Sequence, residues 1–189
     1  MSAIRGVVLG AVLMVSAGTA PAFAQGAEFS LGGGLTMPLG DFGDVAGTGF
    51  HGLAAVSFVP SGFPVGIQID GMFHRIGMDD DFIVGDDVNS QVIQGTANAV
   101  YKFKTSEETK IRPYLIGGVG LYSFKLTGDD VEDPFGEAET DFGINGGAGF
   151  DFKFGSAGLF VEGRFHNVFS EGESTNFIPI TVGLRFGGN

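Results

Sequence analysis

Apolar and polar residues alternate along most of this chain with a period of two. The stretch "GFDFKF" (149–154) sets Phe150, Phe152 and Phe154 against Asp151 and Lys153. After a glycine-containing turn, Val161, Gly163 and Phe165 alternate with Glu162, Arg164 and His166. Successive side chains of a strand point to opposite faces, so this is the pattern of strands with one apolar and one polar wall. Eight such stretches follow one another: roughly Phe29–Met37, Gly49–Phe58, Val65–Gly77, Ser90–Phe103, Ile111–Leu126, Thr140–Phe154, Leu159–Phe169 and Phe177–Phe186. The last is the clearest, with Ile178, Ile180, Val182, Leu184 and Phe186 opposite Thr181, Gly183 and Arg185. The third sets Val65, Ile67, Ile69 and Phe73 against Gln68, Asp70 and His74, and the fourth sets Ile93, Ala97, Ala99, Tyr101 and Phe103 against Gln94, Thr96, Asn98 and Lys102. The fifth is mostly apolar on both faces; Leu115, Val119 and Leu121 are assigned to its apolar wall, Arg112 and Tyr114 to the other.

The connections alternate as well. Those after strands 1, 3, 5 and 7 are mostly longer and acidic: "LGDFGDVAGT", "MDDDFIVGDDVN", "GDDVEDPFGEAE" and "SEGEST". Those after strands 2, 4 and 6 are short: "VPSGFP", "KTSEETK" and "GSAG". Hairpins of this kind join strands up and down. The expected fold is all-β, an eight-stranded antiparallel up-and-down barrel with both termini at the short-turn end.

Such a barrel has two forms, inside out relative to each other. A soluble one buries its apolar wall; a transmembrane one turns that wall to lipid and folds the polar wall inward. The apolar wall here is continuous through nearly every strand. The polar wall holds Gly, Ser, Thr, Asn, Gln and charges of both signs, where a soluble surface would carry denser Lys and Glu. An eight-stranded lumen is narrow and is filled by side chains, and Gly118, Gly120, Gly143, Gly147 and Gly149 would make room in it for Tyr114 and Arg164. We therefore read a transmembrane barrel whose closure removes the open strand edges that lipid does not tolerate. Asp70, Lys102, Arg112, Asp151, Lys153, Glu162, Arg164 and Arg185 then form an interior charge network. Two registers of strands 6 and 7 keep the inward parity. A turn at Ser156-Ala157 would set Asp151 against Glu162. A turn at Ala157-Gly158 would set Lys153 against Glu162 and Asp151 against Arg164. Opposite charges across a strand pair stabilise it, and glycine suits the second turn position, so the second register is expected.

Composition narrows the setting. Residues 1–24 combine Arg5, an apolar run from Val7 to Ala17 and the small-x-small site Ala22-Phe23-Ala24. That is the form of a cleavable signal peptide, leaving residues 25–189 as one barrel domain. The net charge is −12, and losing Arg5 with the leader leaves 9 basic against 22 acidic residues. Such a chain repels nucleic acid. The absence of cysteine excludes disulfides, thiol chemistry and thiolate metal sites. The longest apolar run in the mature chain, "PYLIGGVGLYSF" (113–124), is too short and too broken by glycine for a membrane helix.

The segments "GGGLTMPLGDFGDVAGTGFHGLAAVSF" (32–58), "YLIGGVGLY" (114–122), "LFVEGRFH" (159–166) and "IPITVGLRF" (178–186) resemble the small outer-membrane β-barrel proteins of Gram-negative bacteria. These are the outer-membrane protein β-barrel domain family and, more distantly, the A- and X-type eight-stranded barrels. The resemblance covers nearly the whole mature chain. It implies the cell outer membrane as the location, with outer-membrane lipid and lipopolysaccharide as surroundings. It also implies the barrel-assembly machinery as a partner during insertion and a monomeric state. Thr181, Gly183 and Phe186 resemble the recognition signal for that machinery, although Gly187-Gly188-Asn189 stands where a terminal aromatic belongs.

Little in the chain points to chemistry. His166 and Ser170 lie near the loop end of strand 7, and an outer-membrane lipid A deacylase uses a His/Ser pair. That family's spacing is absent and no acid partner is evident. The acidic segment "DDDFIVGDD" (79–87) suits hard cations in composition, but Ile83 and Val84 stand where ligands would be needed. It reads as a solvated loop. No motif for a catalytic zinc, a nucleotide or a dinucleotide is present. The expectation is no catalytic residue, no cofactor and no metal. The role expected is structural or surface-interacting, carried by acidic extracellular loops. The alternatives are a small channel, aqueous or a W-type conduit for apolar solutes, and then a lipid-modifying enzyme.

Overall fold

The computed structural model describes residues 26–60, 63–77, 89–106, 109–127, 139–154, 157–170 and 173–187. Residues 1–25, which contain the proposed signal peptide, lie outside that description, as do residues 78–88 and 128–138, which make up nearly all of the two long acidic segments.

Eight strands form a closed antiparallel barrel in chain order, each paired with its neighbours and the first with the last. They are β1 (Glu28–Leu39), β2 (Gly49–Phe58), β3 (Val65–Gly77), β4 (Asn89–Lys102), β5 (Ile111–Thr127), β6 (Glu139–Phe154), β7 (Ala157–Ser170) and β8 (Glu173–Gly187). A short helix, α1 (Asp41–Val45), follows β1. Among the described residues no helix is long and apolar enough to cross a membrane; the strands do so, as a closed barrel satisfies every ladder group without water. A bilayer needs about 9–11 tilted residues per strand. β5 with 17 and β6 with 16 residues therefore project beyond it.

The parity of the walls follows the sequence. Buried and exposed residues alternate along β3 and β4, with Gln68, Asp70 and His74 inside and Ile67, Ile69 and Phe73 outside. Phe150 and Phe154 are half or more exposed on the outer wall, while Asp151, Glu162 and Arg164 are buried. The same physics sets most of the alternation: lipid takes Phe150, Phe154 and Phe165 and the lumen takes Asp151, Glu162 and Arg164, while Phe160 and Phe177 help to fill the lumen and Arg75 lies on the outer wall.

Two expectations about connections fail. β6 and β7 pair Phe154 with Ala157, so Asp151 stands opposite Phe160 and Gly149 opposite Glu162. Neither register proposed from charge matching occurs. The ladder closes two residues before the expected register and one before the other, and still keeps inward parity. The connection after β7 is also short. Ser170 pairs with Glu173, because the polar residues Glu173–Asn176 continue the ladder instead of forming a loop. They carry no apolar parity to reveal a strand, since this part of the hairpin lies outside the apolar band.

Candidate functional site

The buried polar residues converge in the lumen, in layers set by distance from the short-turn end. Next to that end lie Glu28, Lys102, Asp151 and Arg185. Lys102 Nζ is 2.8 Å from Glu28 Oε1 and 3.4 Å from Asp151 Oδ2, and Arg185 Nη1 is 2.5 Å from Asp151 Oδ1. The Arg185 guanidinium lies between the Tyr114 and Phe160 rings, with its carbon 4.7 and 4.6 Å from their centroids. The two rings fill space that Gly149 and Gly183 leave open: a Cβ at Gly149 would collide with the Tyr114 ring and one at Gly183 with the Phe160 ring.

The middle layer is a triad. Arg164 Nε donates to Glu162 Oε1 at 2.6 Å and Nη1 donates to Asp70 Oδ2 at 2.8 Å. Asp70 also accepts from Gln68, Thr96 and Asn98 at 2.9, 2.7 and 2.8 Å. Four donors match the roughly four lone-pair sites of a carboxylate. Glu162 takes a second donor, the Tyr114 hydroxyl, at 2.8 Å. β3 and β7 are four strands apart in an eight-stranded ring, so the Arg164–Asp70 contact spans the lumen. A Cβ at Gly147, across from Arg164 in the ladder, would collide with the Gly163 carbonyl oxygen and approach the Arg164 Cα at 2.8 Å. The glycine admits the arginine backbone at that point.

Beyond the triad lie all three histidines, on uncharged partners: the His51 and His74 rings are 5.3 Å apart, and His74 and His166 both pack on Phe177. His74 Nε2 is 3.2 Å from the Gln94 carbonyl oxygen. With neutral rings, Nε2 carries the proton and His74 Nδ1 accepts from Thr36 Oγ1 at 2.8 Å. Thr36 then accepts from His51 Nδ1 at 3.0 Å, and His51 Nε2 accepts from Thr181 Oγ1 at 2.8 Å. His166 stacks on Phe177 at 4.9 Å and lies 2.9 Å from the Tyr122 hydroxyl through Nδ1. Nearest the long connections, Ala46, Ile76 and Val92 form an apolar layer, against which Phe42 of α1 packs.

Of the eight residues assigned to the interior network, Asp70, Glu162 and Arg164 join in the middle. Lys102, Asp151 and Arg185 join near the short-turn end. Arg112 and Lys153 lie at that same end without an ion pair among the described residues. The pairs Asp151–Arg164 and Lys153–Glu162 do not form: Asp151 reaches β8 and Arg164 reaches β3 instead. Glu28, which completes the layer at the short-turn end, was missed because strand 1 was started one residue late. Extending its parity back from Ser30 would have found it. The histidine layer has no motif or spacing to mark it; its one signal in the sequence is that all three rings occupy inward parity. His166 and Ser170 share a face but lie about 13 Å apart along one strand, and Ser170 Oγ donates to Asp141 Oδ2 at 2.7 Å. Among the described residues no group of three His, Asp or Glu side chains could hold a metal ion.

The family model described as outer membrane protein β-barrel domain matches residues 10–186. No curated protein matches the chain in sequence. Among solved structures, the chain is similar to Neisserial surface protein A, at 13% identity and a TM-score of 0.65, over 86% of this chain and 97% of that one. It is also similar to Ail, the attachment invasion locus protein of Yersinia pestis, at 15% identity and a TM-score of 0.53, over 86% and 99%. The N-terminal β-barrel domain of Pseudomonas aeruginosa OprF aligns at 15% identity and a TM-score of 0.51, over 86% and 98%. At these identities the likeness is one of fold.

Proposed function

This chain belongs to the outer membrane protein β-barrel domain family and resides in the outer membrane, and on that premise we propose that it is a monomeric barrel with a closed interior, serving envelope structure or surface interaction through its acidic long connections. One observation carries the closed interior: the Arg164 guanidinium bridges opposite walls, held by Asp70 on β3 and Glu162 on β7. Further bonds cross beside it, from Asn145 on β6 to Asn98 on β4 and from Arg185 on β8 to the Tyr114 hydroxyl on β5. An aqueous path would have to part these contacts and strand charge in a narrow lumen. The proposed surroundings are outer-membrane lipid and lipopolysaccharide, with the barrel-assembly machinery engaged during insertion. No catalytic role is proposed, since Ser170 and His166 are each bonded to a different side chain.

Planar-bilayer recording of the refolded full chain tests the closed interior. The expected outcome is no steady conductance at moderate voltage. Long-lived, reproducible unitary openings would overturn it in favour of the channel reading.

A further inference from the structure

A cavity of about 350 Å³ opens at the short-turn end of the barrel. Six charged side chains line it: Lys102, Arg112, Lys153 and Arg185 against Glu28 and Asp151. This is an excess of two positive charges on a protein whose net charge is −12. Both carboxylates are already engaged, by Lys102 and Arg185. Arg112 and Lys153 have no ion pair among the described residues, even though Arg112 stands opposite Asp151 in the ladder. Arg185 is 5% exposed and its Nε finds no hydrogen-bond partner. A buried donor without an acceptor is costly, and each one in a folded protein calls for an explanation.

We propose that this mouth is a binding site for a phosphate-bearing ligand, held by Lys102, Arg112, Lys153 and Arg185. Arg112 supplies a planar fork that matches phosphate oxygens, Arg185 supplies its unpartnered Nε–H, and two ammonium groups supply point charge. The volume lies at the lower end of the range for small-molecule sites, about 300–1,000 Å³. Phe58, Val59 and Phe152 line the same cavity, so a polar floor is joined to an apolar rim. A phosphate can reach such a site as a free anion or as the headgroup of a phospholipid in the adjoining leaflet.

The test uses the refolded full chain in zwitterionic nanodiscs at low salt, observed through arginine side-chain nitrogen resonances. Sodium phosphate should displace the Arg185 and Arg112 Nε–H signals saturably, and sodium chloride at matched ionic strength should not. The Arg112→Gln/Lys153→Gln variant, which breaks no ion pair among the described residues, should bind phosphate roughly tenfold more weakly or worse, with the Arg164 signal unmoved. Should that variant fail to fold, Glu28→Gln serves instead, and should tighten binding by removing a competing carboxylate. Nanodiscs doped with phosphatidylglycerol separate the sources. If the headgroup is the ligand, the Arg185 signal is displaced before any phosphate is added and phosphate no longer titrates it; if the free anion is the ligand, phosphate still titrates. Equal displacement by chloride, or no displacement in either membrane, overturns the proposal.

Discussion

Two ion-pair networks occupy the same lumen, one at its centre and one at its short-turn mouth. In the centre, Arg164, Asp70 and Glu162 are at most 1% exposed, and their contacts are 2.6 and 2.8 Å. At the mouth, Lys102 and Glu28 are 22% and 21% exposed and Asp151 11%. The central charges have no route back to water, so every oxygen of Asp70 has been given a donor. At the mouth Lys102, Glu28 and Asp151 keep contact with solvent while Arg185 is buried; a longer 3.4 Å contact is tolerated, and Arg112 and Lys153 are free of carboxylates among the described residues. Each network leaves one guanidinium nitrogen without a partner, Arg164 Nη2 in the centre and Arg185 Nε at the mouth, so position along the barrel axis shows in how far the carboxylates and Lys102 are withdrawn from water.

The sharpest way to break that comparison is Arg164→Met. It leaves two buried carboxylates without their cation and should cost about 3–5 kcal/mol in urea unfolding from bilayers. Adding Glu162→Gln should recover part of that loss. A cost no greater than at the mouth would erase the distinction between the networks. The outer wall supplies a reference for both. Val182 is 49% exposed on it, and Val182→Arg should cost about 2–4 kcal/mol by the same assay. The neighbouring Thr181→Val removes only a hydroxyl bonded to His51 and should cost less; the opposite order would reverse the assignment of the walls. The smallest effect belongs to the mouth, where Lys102→Met should cost about 1 kcal/mol or less and fade as salt is raised. The Arg164 loss should stay nearly constant over the same salt range, because its partners are buried.

The eight strands and the face of nearly every residue in them were legible, because lipid on one side and a packed lumen on the other impose alternation with a period of two. Partners were not. The reading from sequence sought mates for Asp151 and Arg164 across their shared hairpin, where cross-strand pairs form in an open sheet. In so narrow a barrel a long side chain reaches across the lumen, and Arg164 finds Asp70, 94 positions away in the chain. Periodicity records which wall a residue faces and carries nothing about the distance across the interior. The same limit hid the layer of His51, His74 and His166. The polar start of β8 was illegible for another reason: beyond the bilayer no apolar wall is required, and the alternation stops while the ladder continues.

The chain has three tyrosines and no tryptophan. Tyr114 and Tyr122 stand inside the lumen, bonded to Glu162 and His166, whereas Tyr101 lies on the outer wall against Phe103. The near-ultraviolet circular dichroism of this protein is therefore mostly a tyrosine spectrum, two of whose three chromophores sense the packing of the lumen. The far-ultraviolet signal follows the strands. The two optical windows thus report separately on wall and filling, and a variant that keeps the second signal while losing the first has a sound barrel around a loosened interior.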